Sequence, residues 1–111
     1  MIRGIRRRAT FAALRSQGMR VRRRGLNVVY VPTDSDATEV AFAISRRAGS
    51  AVRRNRCRRR LRAAFAELDR QGRLPHGAYM ISVTAAVVDA PHAELLAGLG
   101  DVVAQLPARS R

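Results

Sequence analysis

Residues 45–62 read Ser45-Arg46-Arg47-Ala48-Gly49-Ser50-Ala51-Val52-Arg53-Arg54-Asn55-Arg56-Cys57-Arg58-Arg59-Arg60-Leu61-Arg62, nine arginines in eighteen positions. An apolar period runs through this stretch and past it. With a helix starting near Ser50, the side chains of Cys57, Leu61, Ala64, Phe65 and Leu68 fall within about 100° of one another at 3.6 residues per turn, the stripe that a helix buries. Asn55, Arg59 and Arg62 then lie on the opposite face, flanked by Arg56 and Arg60. A merely solvated helix face usually mixes signs as Glu/Lys pairs, whereas the first acid after Glu39 here is Glu67. The stretch predicts a helix packed on one side and armed with guanidinium forks on the other. A phosphate accepts such a fork in two places, so the chemistry points to nucleic acid.

Working outward, 111 residues at 47% hydrophobic content give one domain, residues 1–111, with a modest core. The net charge of +14 is unevenly placed: residues 1–62 hold 18 arginines against 3 acids, and residues 63–111 hold 4 against 5. The first part therefore builds an electropositive surface, which speeds encounter with polyanions and makes binding salt-dependent. The basic residues are all arginine, a bias that a GC-rich genome explains more simply than any mechanism.

The single cysteine, Cys57, leaves no internal disulfide and no cysteine-based zinc site. A reducing cytoplasm is the expected setting. The start, Met1 to Arg8, is charged like the beginning of a signal peptide, but no apolar run follows it. No stretch approaches the roughly 18 apolar residues of a membrane span, and the basic helix shows no apolar face for a membrane surface.

Periodicity places the other elements. A first helix is expected over 7–17, with Gly18 as a left-handed stop. Residues 19–24 alternate weakly, 26–31 are rich in β-branched residues and end at Pro32, and 40–44 alternate large and small; together they suggest a meander of three strands. The arginine helix ends near Gln71-Gly72, 78–88 read as a last strand, and Asp89-Ala90-Pro91 opens a final helix with Leu95, Leu99, Val102 and Leu106 as its stripe. Gly98 and Gly100 weaken its middle. The expected order is αβββαβα, an α+β chain.

Arg54-Asn55-Arg56, with Gly49, Ala51 and Val52 before it and Arg58, Arg59, Leu61 and Arg62 after it, resembles the signature of the bacterial ribonuclease P protein subunit, as do Ser45, Arg46 and Arg47. Ile5, Phe11, Tyr30 and the segment Leu74 to Tyr79 extend the resemblance over most of the chain. It implies a compact α/β sandwich with a left-handed βαβ crossover through the arginine helix, an exception to the usual hand. It also implies the small partner of a catalytic ribonuclease P RNA, one to one, in an endonuclease that removes the 5′ leader of precursor tRNA. Magnesium ions bound mainly by the RNA would activate the water, and the protein would supply no catalytic residue and hold no metal tightly.

By the same resemblance Arg46, Arg47, Arg54, Asn55, Arg56, Arg58, Arg59 and Arg62 would hold the catalytic RNA, and Phe11, Arg15 and Tyr30 would line a cleft for the single-stranded leader. Aromatic rings stack on unpaired bases with little sequence preference, which suits a variable leader. Arg15 stands where many relatives carry a second aromatic, which implies a phosphate or cation–π contact in its place. Ser50 and Ala48 depart more mildly from the pattern.

The residues themselves leave rival readings open. A structural RNA-binding protein, such as a ribosomal protein or RNA chaperone, shares the charge and size. A duplex-DNA reader needs more base-reading residues than Asn55. Catalysis by the protein alone has little to work with: His76 sits in a Pro/Gly turn, His92 opens a helix, and Asp34 and Asp36 read as a solvated loop rather than a metal site.

Overall fold

The arginine stretch sets the architecture through its buried side. The computed structural model describes residues 2–106, and in it α2 runs Ala51–Arg70. Ser50 caps it, its hydroxyl accepting from the Arg53 N–H at 3.3 Å. At the far end the Arg73 N–H returns to the Leu68 carbonyl and the Gly72 N–H to the Asp69 carbonyl, both at 3.0 Å. Gly72 at φ 68° supplies the left-handed residue that this double closure requires. Cys57, Leu61, Ala64, Phe65 and Leu68 are all fully buried, as their spacing predicts. Burying each of the larger side chains among them contributes about 1.5–3 kcal/mol.

The remaining elements are β1 (Ile2–Gly4), α1 (Arg8–Gln17), β2 (Met19–Arg23), β3 (Leu26–Val31), β4 (Thr38–Ala43), β5 (Ala78–Val83) and α3 (His92–Val103). Short 3₁₀ turns occupy Arg46–Ala48 and Ala85–Val87. The order is thus βαβββαβα. The extra strand β1 pairs in parallel with β4, Arg3 opposite Glu39. Three residues without alternation carry no strand signal of their own, and tertiary pairing makes this one.

All five strands form one sheet in the order β1-β4-β5-β3-β2. The expected meander is therefore only half present. β2 and β3 form a hairpin, with Arg24 and Gly25 in the left-handed region at its turn, but β4 does not join them. β5 inserts between, antiparallel to β3 and parallel to β4, so that α2 is the crossover of a β4–α2–β5 unit. β5 also stops at Val83, short of the expected 88.

Helices cover both faces, giving the sandwich. Tyr30, Val40, Tyr79, Ile81 and Leu26 meet α2 and α3 in the main core, where the Tyr30 and Tyr79 rings lie 4.9 Å apart and those of Phe65 and Tyr79 5.2 Å apart. A smaller cluster, Leu14 with Val31 and Ala78, seats α1 on the other face. Gly18 is not the left-handed stop expected of it: its φ is −67°, and its backbone is extended. Glycine is needed there for space, because a Cβ would lie 2.3 Å from Val29 Cγ1. Gly98 in α3 has a similar use, since a Cβ would come within 2.9 Å of Leu26 Cδ1 and push the helix off the sheet.

Candidate nucleic-acid interface

Burial of one side of α2 forces its other side outward, and there the arginines divide by what they touch. Arg53 turns to the connection after β5, where its Nε donates to both oxygens of Asp89 at 3.0 and 3.1 Å. Arg60 donates from Nη1 to the carbonyls of Asp89 at 3.2 Å and Ala90 at 3.1 Å. These two fix the helix to its neighbours. Arg54, half-buried, donates from Nε to the Gly49 carbonyl at 3.1 Å and so braces the turn before the helix.

The others face solvent. Arg56 and Arg59 make no hydrogen bond or ion pair among the described residues. Arg58 donates to the Asn55 side-chain oxygen at 2.8 Å, orienting that amide, and the Arg62 guanidinium lies 5.8 Å from the Phe42 ring centroid. Arg46 and Arg47 stand exposed on the 3₁₀ turn that leads into α2. Val52 is 66% exposed in the first turn, an apolar group one turn before Arg56 where a ribose or base face can rest. The structure brings all eight arginine-stretch candidates onto or beside one helix, with Arg54 partly committed to the backbone.

Cys57 lies directly beneath this face. Burial pushes its thiol up, and the nearby Arg60 and Arg58 charges only oppose that shift. It is a packed neutral thiol, not a nucleophile.

The face of the sheet beneath α1 gathers the second group differently from the sequence expectation. Phe11 is half-buried on α1 outside both packed clusters, and Arg15, one turn later, is exposed. Tyr30 is not with them. Alternation along β3 turns Val29 and Val31 toward α1 and sends Tyr30 into the main core, where it is 5% exposed and its hydroxyl donates to the His76 carbonyl at 2.6 Å. A displacement of one residue in the register of the aromatic decides the face.

On the α1 side of the sheet, beyond the helix, lies a shallow hollow of about 240 Å³ bordered by Arg20, Arg22, Asn27, Val29 and Ser82. Arg22 donates from Nε to the Asn27 side-chain oxygen at 2.6 Å. Neither Arg20 nor Arg22 was singled out by sequence reasoning. The signal was available in Met19 to Arg23, where arginines at alternate positions on an edge strand must share a face.

The histidines and loop acids take the places their turns suggested. The His76 ring Nε2 meets the Ser35 carbonyl, tying the loop before β5 to the loop before β4. Asp34 and Asp36 line an open hollow with Arg3, Arg7 and Thr10. Among the described residues no three His, Cys, Asp or Glu side chains converge as metal ligands, and no helix is long and apolar enough to cross a membrane.

An arginine-faced crossover helix on a mixed five-stranded sheet has close counterparts among solved structures. The chain superposes on the ribonuclease P protein of Thermotoga maritima with a TM-score of 0.79 at 17% identity, covering 95% of this chain and 98% of that one. For the Staphylococcus aureus ribonuclease P protein the TM-score is 0.75 at 20% identity, with 92% of each chain covered. In sequence it is similar to the ribonuclease P protein component of Gluconacetobacter diazotrophicus, 37% identical over 68 residues, a match spanning 60% of this chain and 59% of that relative. The family model described as Ribonuclease P matches residues 3–107, and the chain belongs to that family.

Proposed function

We propose that this chain is the protein subunit of ribonuclease P, binding a catalytic RNA through α2 and the single-stranded leader of precursor tRNA on the α1 face of the sheet. The observation that carries this reading is the exposed arginine face of α2 in a chain matched to the family over residues 3–107. Arg46, Arg47, Arg56, Arg58, Arg59 and Arg62, with Asn55, hold RNA phosphates, and Arg54 sets the turn that presents them. These contacts position the RNA; they carry no base sequence.

Leader binding falls to Phe11 and Arg15 with Arg20, Arg22 and Asn27. With Tyr30 in the core, this surface offers one partly exposed ring and several guanidinium groups, so it holds the leader more by its phosphates than by stacking. That suits a substrate whose sequence varies.

Bond cleavage is the work of the RNA. Magnesium ions held mainly by that RNA would supply the activated water. The donor set on α2 supports that division, because guanidinium groups repel divalent cations and compete with them for phosphate oxygens. By neutralising phosphates, the protein lowers the magnesium concentration at which RNA and substrate assemble. The complex is one to one with the RNA, and a reducing cytoplasm suits a chain whose single thiol, Cys57, is free.

The test is cleavage of a precursor tRNA by a bacterial ribonuclease P RNA at low magnesium, with the protein, without it, and with the protein alone. Stimulation that requires the RNA is the expected result. Tight RNA binding without stimulation of a cognate RNA would instead make this a structural RNA-binding protein.

A further inference from the structure

Where α2 passes the start of α3, a hollow of about 420 Å³ is bordered by Arg56, Arg59, Arg60, Ala63 and His92. The four α2 residues stand at i, i+3, i+4 and i+7, so they share one face of the helix. Ala63, with its short side chain, leaves room between the guanidinium groups and the imidazole. Arg60 is held in place by the Asp89 and Ala90 carbonyls, which accept from Nη1 alone.

Neighbouring acids offset only part of this charge. The Asp89 carboxylate is hydrogen-bonded to Arg53 and also feels the charges of Arg56 and Arg60, and Glu67 is engaged by Arg70 and Gln71 and also feels His92. Glu94, in the first turn of α3, borders a different hollow with Arg24 and Leu26. α3 also begins at Pro91 without a side-chain cap, so its first N–H groups add partial positive charge on the same side. Three guanidinium groups around one hollow repel one another, and an anion seated among them removes that cost.

We propose that Arg56, Arg59, Arg60 and His92 form a seat for a backbone phosphodiester of RNA, so that the bound RNA runs from α2 onto the start of α3. This rests on the proposed RNA-binding role of α2 and adds the last helix to the contact surface. Arg56 and Arg59 grip the phosphate oxygens, Arg60 holds its charge at the wall as a positioning residue, and His92 donates a hydrogen bond from the far side.

The chain has two histidines, which makes the seat directly observable. Ring signals of His92 and His76 would be followed by NMR while a short unstructured RNA oligonucleotide is added at constant ionic strength, with inorganic phosphate and sodium chloride as parallel titrations. The expected result is a saturable movement of the His92 signals with the oligonucleotide while those of His76 stay put. Arg59→Ala should weaken that response about tenfold, the loss of one charge-assisted contact. His92 signals that do not move, or that move equally with chloride, would overturn the seat. Movement with inorganic phosphate but not with the oligonucleotide would overturn its assignment to RNA.

A second measurement separates this from the function itself. Affinity for ribonuclease P RNA against salt should lose about one unit of log–log slope in the double variant Arg56→Ala/Arg59→Ala beyond the loss in Arg62→Ala, each phosphate contact contributing slightly under one unit. If the unaltered protein stimulates precursor tRNA cleavage while His92 is silent to RNA, only the seat fails. If His92 responds to RNA and stimulation is absent, the subunit reading fails and the seat stands.

Discussion

The Asp89 carboxylate receives Nε of Arg53 on both of its oxygens, at 3.0 and 3.1 Å, and Nη2 of the same guanidinium as well. This one pair joins the first turns of the arginine helix to the connection between the last strand and the last helix. It takes one arginine out of the solvent-facing set of α2 and occupies the Asp89 carboxylate.

The pair gives stability a pH dependence. Hydrogen bonds from Arg53 hold the Asp89 carboxyl below the usual carboxylate range; slight desolvation opposes them, and the charges of Arg53, Arg56 and Arg60 add to the lowering. A carboxyl lowered in the folded state contributes stability above its unfolded pKa, and loses it as pH falls through the folded value. Asp89→Asn should therefore lower the thermal midpoint slightly at pH 7, and the difference from the parent should shrink as pH falls through the lowered folded-state pKa of Asp89. Thermal melts at neutral pH and across the acid range check this; the exposure of both groups keeps the effect small.

Tyr30→Phe should cost about 1 kcal/mol, the net value of the hydrogen bond to the His76 carbonyl, and leave leader binding unchanged. Tyr30→Ala should cost about 3–5 kcal/mol, as for other large aromatic truncations in a core. Urea unfolding gives both numbers. A selective loss of leader-bearing substrates by a fully folded Tyr30→Phe protein would contradict the placement of this ring in the core.

Arg56→Ala and Arg59→Ala should weaken RNA binding with little effect on stability, because neither side chain makes a hydrogen bond or ion pair among the described residues. Arg53→Ala should do the reverse. Filter-binding titrations at several salt concentrations, paired with circular-dichroism melts, distinguish the two classes; the exposed pair should reduce the salt slope by about two.

Gly77 sits at φ 153°, and a Cβ there would lie 2.4 Å from the Val31 carbonyl oxygen and 2.7 Å from Tyr30 Cε1. Gly77→Ala should destabilise by about 1–3 kcal/mol from backbone strain alone, and more from the contact with Val31. Gly72→Ala is the control. Its Cβ would meet nothing within 4 Å, so it bears only the cost of a left-handed φ of 68°.

The arginine helix was legible almost residue for residue, from its Ser50 cap to its Gly72 stop, because a period of 3.6 and two end signals agree over twenty positions. β3 was equally clear. What periodicity does not carry is partnership. Nothing local to Val40 or Ala78 says that their strands lie side by side, or that Ile2 to Gly4 becomes a strand at all. The candidate site follows the same division. Exposed positions on α2 came directly from the buried stripe, whereas the cleft depended on which face of β3 an aromatic occupies, and Tyr30 stands one position away from the α1 side. The structural duties of Arg53, Arg54 and Arg60 were equally hidden, because their partners are a carboxylate and carbonyls distant in the chain or at a turn.

The placement of β5 between β3 and β4 sets an order on the birth of the protein. While residues 78–83 are still missing from a growing chain, the β2–β3 hairpin and the β1–β4 pair have no strand to join them. The arginine helix is already synthesised by then, yet it has only part of a floor on which to lie. Its basic face becomes a fixed surface only when the last strand slides into the middle of the sheet. Until then, the chain does not display its finished basic face.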